Sequence, residues 1–210
     1  MSVFDLLFIF VFFGTVILVF VILVNLLRGR RSSARRSSRV LGIGLAAYLL
    51  IVAIVAILSP QKVLTIGQNR CFDEMCFAVM DVKVTPTVGS GQRQIHAKGT
   101  FYIVTIRVTC QGHGRAQSEA SVGVSCLDSK GNTYKVSLQG QRTFETANTT
   151  NPSLTDRVPP GESISSVQVF DLPPDASDVA LHVSHSGPGL FIIGDDESPL
   201  HKPTIIRLTP

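Results

Sequence analysis

The first 60 residues contain a single acidic residue, Asp5, and no cysteine, and two stretches within them carry no charge at all. Residues 6–27 and 40–58 are those stretches, and their composition excludes a water-facing surface over either one. The chain also lacks a G-x-S-x-G elbow, an H-E-x-x-H pair and a G-x-x-x-x-G-K loop, which removes the usual written signatures of hydrolases, zinc proteases and nucleotide binders. No cysteine follows closely behind either apolar stretch, so a lipid-modified cysteine is not indicated.

Each apolar stretch is long enough to span a bilayer core of about 30 Å, which takes roughly 20 helical residues. Between them, residues 28–39 hold Arg28, Arg30, Arg31, Arg35, Arg36 and Arg39. Short arginine-rich loops stay on the cytoplasmic side. Moving six positive charges out against 100 mV costs about 14 kcal/mol. The sequence therefore predicts a transmembrane hairpin over residues 1–59, with helices at 6–27 and 40–58 and a cytoplasmic arginine loop. The amino terminus is then outside, and residues 60–210 form an exported domain. A cleaved signal peptide is the competing reading for the second stretch, with cleavage near residues 56–59, but Pro60 follows at once and the first stretch has its charges on the wrong side. Within the second stretch, Gly42 and Ala46 have the small-xxx-small spacing that lets membrane helices approach closely.

The net charge of +4 resembles that of a nucleic-acid binder until it is assigned by segment. From residue 61 onward there are 13 basic and 14 acidic residues, a net of −1, with no basic block. Nucleic acid is thus not an expected partner, whereas the lipid bilayer is. The arginines serve first as topology determinants, and they can also meet anionic headgroups.

Beyond residue 60 the pattern changes to short alternating segments punctuated by Gly, Pro, Asn and Asp, which predicts an all-β domain. Cys76, Ala78, Met80, Val82 and Val84 fall on one face of a strand, and Tyr102, Val104, Ile106, Val108 and Cys110 on one face of another. Further strands are expected at 120–127, 133–137, 163–170, 179–183, 190–193 and 204–208. Ser129-Lys-Gly-Asn132 reads as a hairpin turn, and Pro159-Pro-Gly161 and Leu172-Pro-Pro174 as the ends of a strand. Seven or eight short strands suggest a two-sheet sandwich. No periodic helix is visible here. Residues 85–97 and 139–159 read as long polar loops, where a binding site is best accommodated. Val88-Gly-Ser-Gly91 reads as a flexible tip.

All four cysteines, Cys71, Cys76, Cys110 and Cys126, lie in the exported part, and an even count there predicts two disulfides. Strand parity favours Cys71 with Cys76 and Cys110 with Cys126, the second closing a loop worth about 3 kcal/mol. The alternative for Cys110 and Cys126 is a pair of buried free thiols. The C-x4-C spacing differs from the C-x2-C of redox motifs. His182 and His185 sit three apart on a predicted strand and point to opposite faces, so they do not form a shared metal site. His96 and His201 have no evident partner. Asp195-Asp-Glu197 lacks the ligand spacing of a calcium loop and reads as a solvated turn. No metal, cofactor or catalytic residue is assigned. Asn148-Thr-Thr150 has the form of a glycosylation acceptor, which matters only in a compartment that glycosylates.

The segments Arg70-Cys-Phe-Asp-Glu-Met-Cys-Phe-Ala-Val79, Lys98-Gly-Thr-Phe-Tyr-Ile-Val-Thr-Ile-Arg107, Pro160-Gly-Glu-Ser163 and Val169-Phe-Asp-Leu-Pro173 together resemble a bacterial family of uncharacterised extracytoplasmic domains. That family is similar in fold to a secreted mycobacterial antigen. The resemblance covers residues 69–208 and implies an immunoglobulin-like β-sandwich, here preceded by two transmembrane α-helices. It transfers no catalytic residue. The cysteine pair and the tail from Phe191 to Pro203 are departures from the general pattern or a subgroup trait. The expected function is a non-enzymatic, membrane-anchored binding or protein-interaction module with a protein partner at the outer face. The alternatives are an accessory subunit of a membrane complex and a hydrolase built from loop residues.

Overall fold

The computed structural model describes residues 3–148, with side chains from residue 6, together with residues 150–185, 193 and 201–208. Contacts divide the chain into two units, residues 1–61 with 187–203 and residues 62–186 with 204–210.

The first unit is built on α1 (Val3–Leu27) and α2 (Arg31–Leu58). Leucine, valine, isoleucine and phenylalanine surround α1 on every side, and none of its most apolar window is buried within the protein. Phe10, Phe20, Leu27, Ile43 and Leu58 stay largely exposed. Apolar surface bared on this scale suggests a membrane anchor. Both helices are long and apolar enough to cross a membrane.

The arginine segment is not a 12-residue loop. α1 ends in a Schellman motif: Gly29 takes φ +71°, its N–H donates to the Leu26 carbonyl, and the Arg30 N–H donates to the Asn25 carbonyl. Three residues, 28–30, separate the helices, and α2 begins at Arg31. Arg31, Arg35 and Arg39 therefore recur every fourth residue on an exposed helical extension. The helices do not meet through Gly42 and Ala46, because both are exposed and a Cβ on Gly42 would touch nothing within 4 Å. The buried stripe of α2 is instead Tyr48, Val52 and Ala56, with Tyr48 and Val52 packed near Phe8, Val11 and Ile193.

The second unit is a two-sheet β-sandwich. One sheet orders β1 (Val63–Leu64), β9 (Ile205–Arg207), β8 (Ala180–His185), β5 (Val122–Leu127) and β6 (Thr133–Lys135). The other orders β2 (Arg70–Phe72), β3 (Met75–Val88), β4 (Ile95–Cys110) and β7 (Ser163–Leu172). Phe77, Val79, Val104, Ile106 and Phe170 from one sheet meet Cys126, Leu181, Val183 and Ile206 from the other in one buried core. Removing Phe77 alone would cost about 3–5 kcal/mol.

Three expectations about this unit need correction. On β3 the core face is Met75, Phe77, Val79 and Val82, not Cys76, Ala78 and Met80, because a bulge between Val79 and Asp81 inverts the alternation. Residues 85–97 are not a loop: β3 and β4 extend through them, pairing Val88 with Ile95 around a short 3-10 turn, Gly91–Arg93. Residues 139–159 are not wholly loop either, since α3 (Leu138–Ala147) occupies their start, with the Ser137 hydroxyl accepting from the Gly140 N–H as its N-cap. The remaining strands match within a few residues, and the 128–132 turn does join β5 to β6. The expected strand at 190–193, Ile193 excepted, the acidic run 195–197 and Thr149 lie outside the described residues.

Candidate functional site

α3 lies where it does because β4 is apolar on both faces near its middle. Tyr102 and Val104 point to the main core, while Phe101 and Ile103 point outward and need a cover. With Val88 and Val169, Phe101 forms a second cluster, against which Phe144 of α3 packs. Gly140 lets the helix come close, for a Cβ there would meet Val169 Cγ1 at 2.8 Å and Phe101 Cε1 at 3.2 Å.

The docked helix meets the tip of the β3–β4 hairpin. Gly89, at φ +91°, approaches it so closely that a Cβ would lie 2.7 Å from Thr143 Cγ2 and 2.6 Å from the Arg93 carbonyl oxygen. The glycine-rich tip is thus a packed contact as well as a turn. Between the tip and the helix is a pocket of about 410 Å³ lined by Gly89, Ser90, Arg93, Arg142, Thr143, Thr146 and Ala147. This is within the size range of small-ligand sites. Both of its walls come from the two segments that sequence reading marks as long loops.

The lining combines two arginines and three hydroxyl-bearing residues with a larger share of apolar surface. Arg93 and Arg142 make no ion pair among the described residues. The nearby acid, Glu145, is occupied elsewhere: its Oε1 accepts from Gln141 Nε2 at 2.9 Å and from Asn151 Nδ2 at 3.5 Å. Thr146 Oγ1 donates to the Arg142 carbonyl at 2.7 Å, and Asn148 donates to the Phe144 carbonyl through both its backbone N–H and its side chain. These bonds satisfy carbonyls at the negative end of the helix dipole. The sequence signal for the pocket was the pair of polar segments; what it could not supply was their contact, which depends on Phe144 and Gly89.

The other candidate residues are dispersed. Cys71 and Cys76 face each other directly across the β2–β3 hairpin and are joined by a disulfide. Cys110 and Cys126 are both buried and free, so the bridge expected between them is absent. They belong to different sheets and to opposite ends of the sandwich. Cys126 lies beside Tyr102, whose phenol is pushed up first by burial and then by that thiol. Tyr102 is eight residues from Cys110 on the same strand, roughly 26 Å at about 3.3 Å per residue, far beyond disulfide reach. Burial pushes the Cys126 thiol well above its ordinary value, so it is protonated and inert.

The histidines do not converge. His182 Nδ1 lies 3.1 Å from the Thr204 carbonyl, whereas His185 stacks on Phe72 and places Nε2 3.5 Å from Glu119 Oε1. Among the described residues no three His, Cys, Asp or Glu side chains cluster as metal ligands. The Arg28, Arg30, Arg31, Arg35, Arg36 and Arg39 group surrounds the α1–α2 turn, within the first unit.

No curated protein matches the chain in sequence. Among solved structures it is similar to a conserved hypothetical protein from Bacillus anthracis, at 15% identity over 58% of this chain and 88% of that one, with a TM-score of 0.46. It is similar also to the yjhA protein from Bacillus subtilis, at 12% identity over 70% and 99% of the two chains, with a TM-score of 0.44. A third is the secreted protein MPT63 from Mycobacterium tuberculosis, at 15% identity over 71% and 98%, with a TM-score of 0.43. The family profile described as Domain of unknown function (DUF4352) matches residues 64–190, a span that contains β3, β4, α3 and β7 and more than half of the sequence. The chain belongs to that family.

Proposed function

We propose that this protein is a non-enzymatic binding module, held at the outer face of the cytoplasmic membrane by the α1–α2 hairpin, with its β-sandwich outside the cell membrane. The observation that carries the binding half is the pocket between the β3–β4 tip and α3. Its described lining offers guanidinium, hydroxyl and backbone groups and no imidazole, thiol or carboxylate to serve as a catalytic base. Two features support the location. Six arginines gather at the one turn that this topology leaves in the cytoplasm, and the Cys71–Cys76 disulfide suits an oxidising compartment.

Labelling of intact cells with a membrane-impermeant maleimide tests the placement. Ser33→Cys, exposed in the first turn of α2 among the arginines, should stay unlabelled until the cells are opened, whereas Ser129→Cys, exposed at the β5–β6 turn, should label at once. The native cysteines give little background, because two are buried and two are bonded. The reverse pattern would overturn the orientation.

A second reading, an accessory subunit of a membrane complex, draws on Gly42 and Ala46. Because neither is used between α1 and α2, their small-residue face is open to another helix. Gly42→Leu with Ala46→Leu should then release the protein from a larger assembly in mild detergent while leaving the sandwich folded.

A further inference from the structure

We infer that the pocket between the hairpin tip and α3 recognises an oxyanion, a phosphate group carried by a small solute or by a lipid headgroup. This inference rests on reading the pocket as a binding site and adds the chemical class of its ligand.

Arg93 and Arg142 enter from separate supports, one on the 3-10 turn of the hairpin and the other on α3. Their supports are locked together where Gly89 contacts Thr143. Neither guanidinium has a carboxylate partner among the described residues, although the exported part holds 14 acidic residues against 13 basic ones. Lys130 with Asp175, at 2.6 Å, is the one Lys or Arg ion pair among the described residues, so Arg93 and Arg142 stand out by sharing a cavity rather than by being unpaired. Two arginines left unpaired at one cavity mark a locally positive site on an otherwise balanced domain.

The remaining polar groups agree with this. Ser90 and Thr143 line the pocket, and their hydroxyls are engaged by no protein group among the described residues, so they are available as donors. Glu145 Oε1 accepts from the side-chain amides of Gln141 and Asn151. The carbonyls of Arg142 and Phe144 already accept protein donors. Guanidinium forks match phosphate oxygens in pairs, and hydroxyls supply further donors. A pocket of about 410 Å³ has room for an organic body or a headgroup beside the phosphate.

The test uses the full chain in nanodiscs of phosphatidylcholine, with inorganic phosphate as the soluble probe and calorimetry as the readout. A second arm replaces part of the lipid with phosphatidylglycerol, and a third offers glucose as a neutral probe. Arg93→Gln and Arg142→Gln should each weaken phosphate binding at least about tenfold, and the pair together should abolish it. Arg142→Lys should lose less than Arg142→Gln, because it keeps the charge without the fork. Arg115→Gln, in the 111–117 loop beyond the other end of β4, should change nothing. If only phosphatidylglycerol discs show a gain that the Arg93 and Arg142 variants remove, the anion is a headgroup and the inference stands. Phosphate binding that survives the double variant overturns it. So does glucose binding that Thr143→Val weakens in the absence of phosphate binding, an outcome that leaves the pocket a binding site of another class. Binding of none of the three probes overturns both readings.

Discussion

Asn151 bonds to Val167 as a neighbouring strand would: its Oδ1 accepts from the Val167 N–H at 2.7 Å, and its Nδ2 donates to the Val167 carbonyl at 3.0 Å. Gln141 repeats the device, accepting from the Val169 N–H at 2.9 Å and donating to the Val167 carbonyl at 2.9 Å. The Ser137 N–H then takes the Val169 carbonyl at 2.8 Å. β7 is an edge of the four-stranded sheet, and a bare edge invites pairing with another chain. Side-chain amides close it over residues 167–169, so a partner that adds a strand cannot dock at this place.

Replacing both amides, Asn151→Ala with Gln141→Ala, should have two effects. Backbone groups at 167 and 169 lose their partners, which costs about 1–3 kcal/mol, read as a lower unfolding midpoint of the full chain in detergent. The freed edge should also promote concentration-dependent self-association in sedimentation. A monodisperse variant with an unchanged midpoint would show that water replaces the amides at no cost.

The cysteine arrangement predicts an intact mass two hydrogens below the fully reduced value under non-reducing conditions. One disulfide, Cys71–Cys76, accounts for that deficit. Alkylation of the folded protein should add nothing, since Cys110 and Cys126 are fully buried and the Cys126 thiol is held protonated by burial. Denaturation before alkylation should add two labels. A deficit of four hydrogens would restore the bridge between Cys110 and Cys126 and would require β4 and β5 to be arranged differently.

What could be read in the sequence followed the strength of local signals. Unbroken apolar runs identified both helices, because a helix apolar on every side is read from run length rather than from periodicity. Alternation located β4, where Val104, Ile106, Val108 and Cys110 all turn inward. It failed on β3, because one extra residue near Met80 reverses the faces and no composition announces a bulge. The hidden helix α3 has only Phe144 as a large apolar anchor, and its reason for forming lies 40 residues away in Phe101 and Ile103. The pocket inherits that non-local origin. Its arginines were visible as residues, but their meeting depended on Gly89 and Gly140 admitting close contact.

Asp128 should control the acid stability of the sandwich. Burial alone would raise its pKa, but hydrogen bonds from Asn132, from the Tyr134 hydroxyl and from the Lys130 N–H prevail and hold it at about 2, against an ordinary value of 3.8. Because the folded-state value is depressed, the stabilisation is complete above 3.8 and is lost as the pH falls toward 2. Between those values the unfolded chain binds a proton that the folded chain refuses. Asp128→Asn should lower the unfolding midpoint at neutral pH, since an amide accepts fewer of these bonds, and should flatten the decline from pH 4 downward. Asp175 is also lowered, by its hydrogen bond and charge pairing with Lys130, but both groups are well exposed and solvent screens them. An acid decline as steep in Asp128→Asn as in the parent would therefore transfer the effect from the Asp128 carboxylate to the exposed Lys130–Asp175 pair.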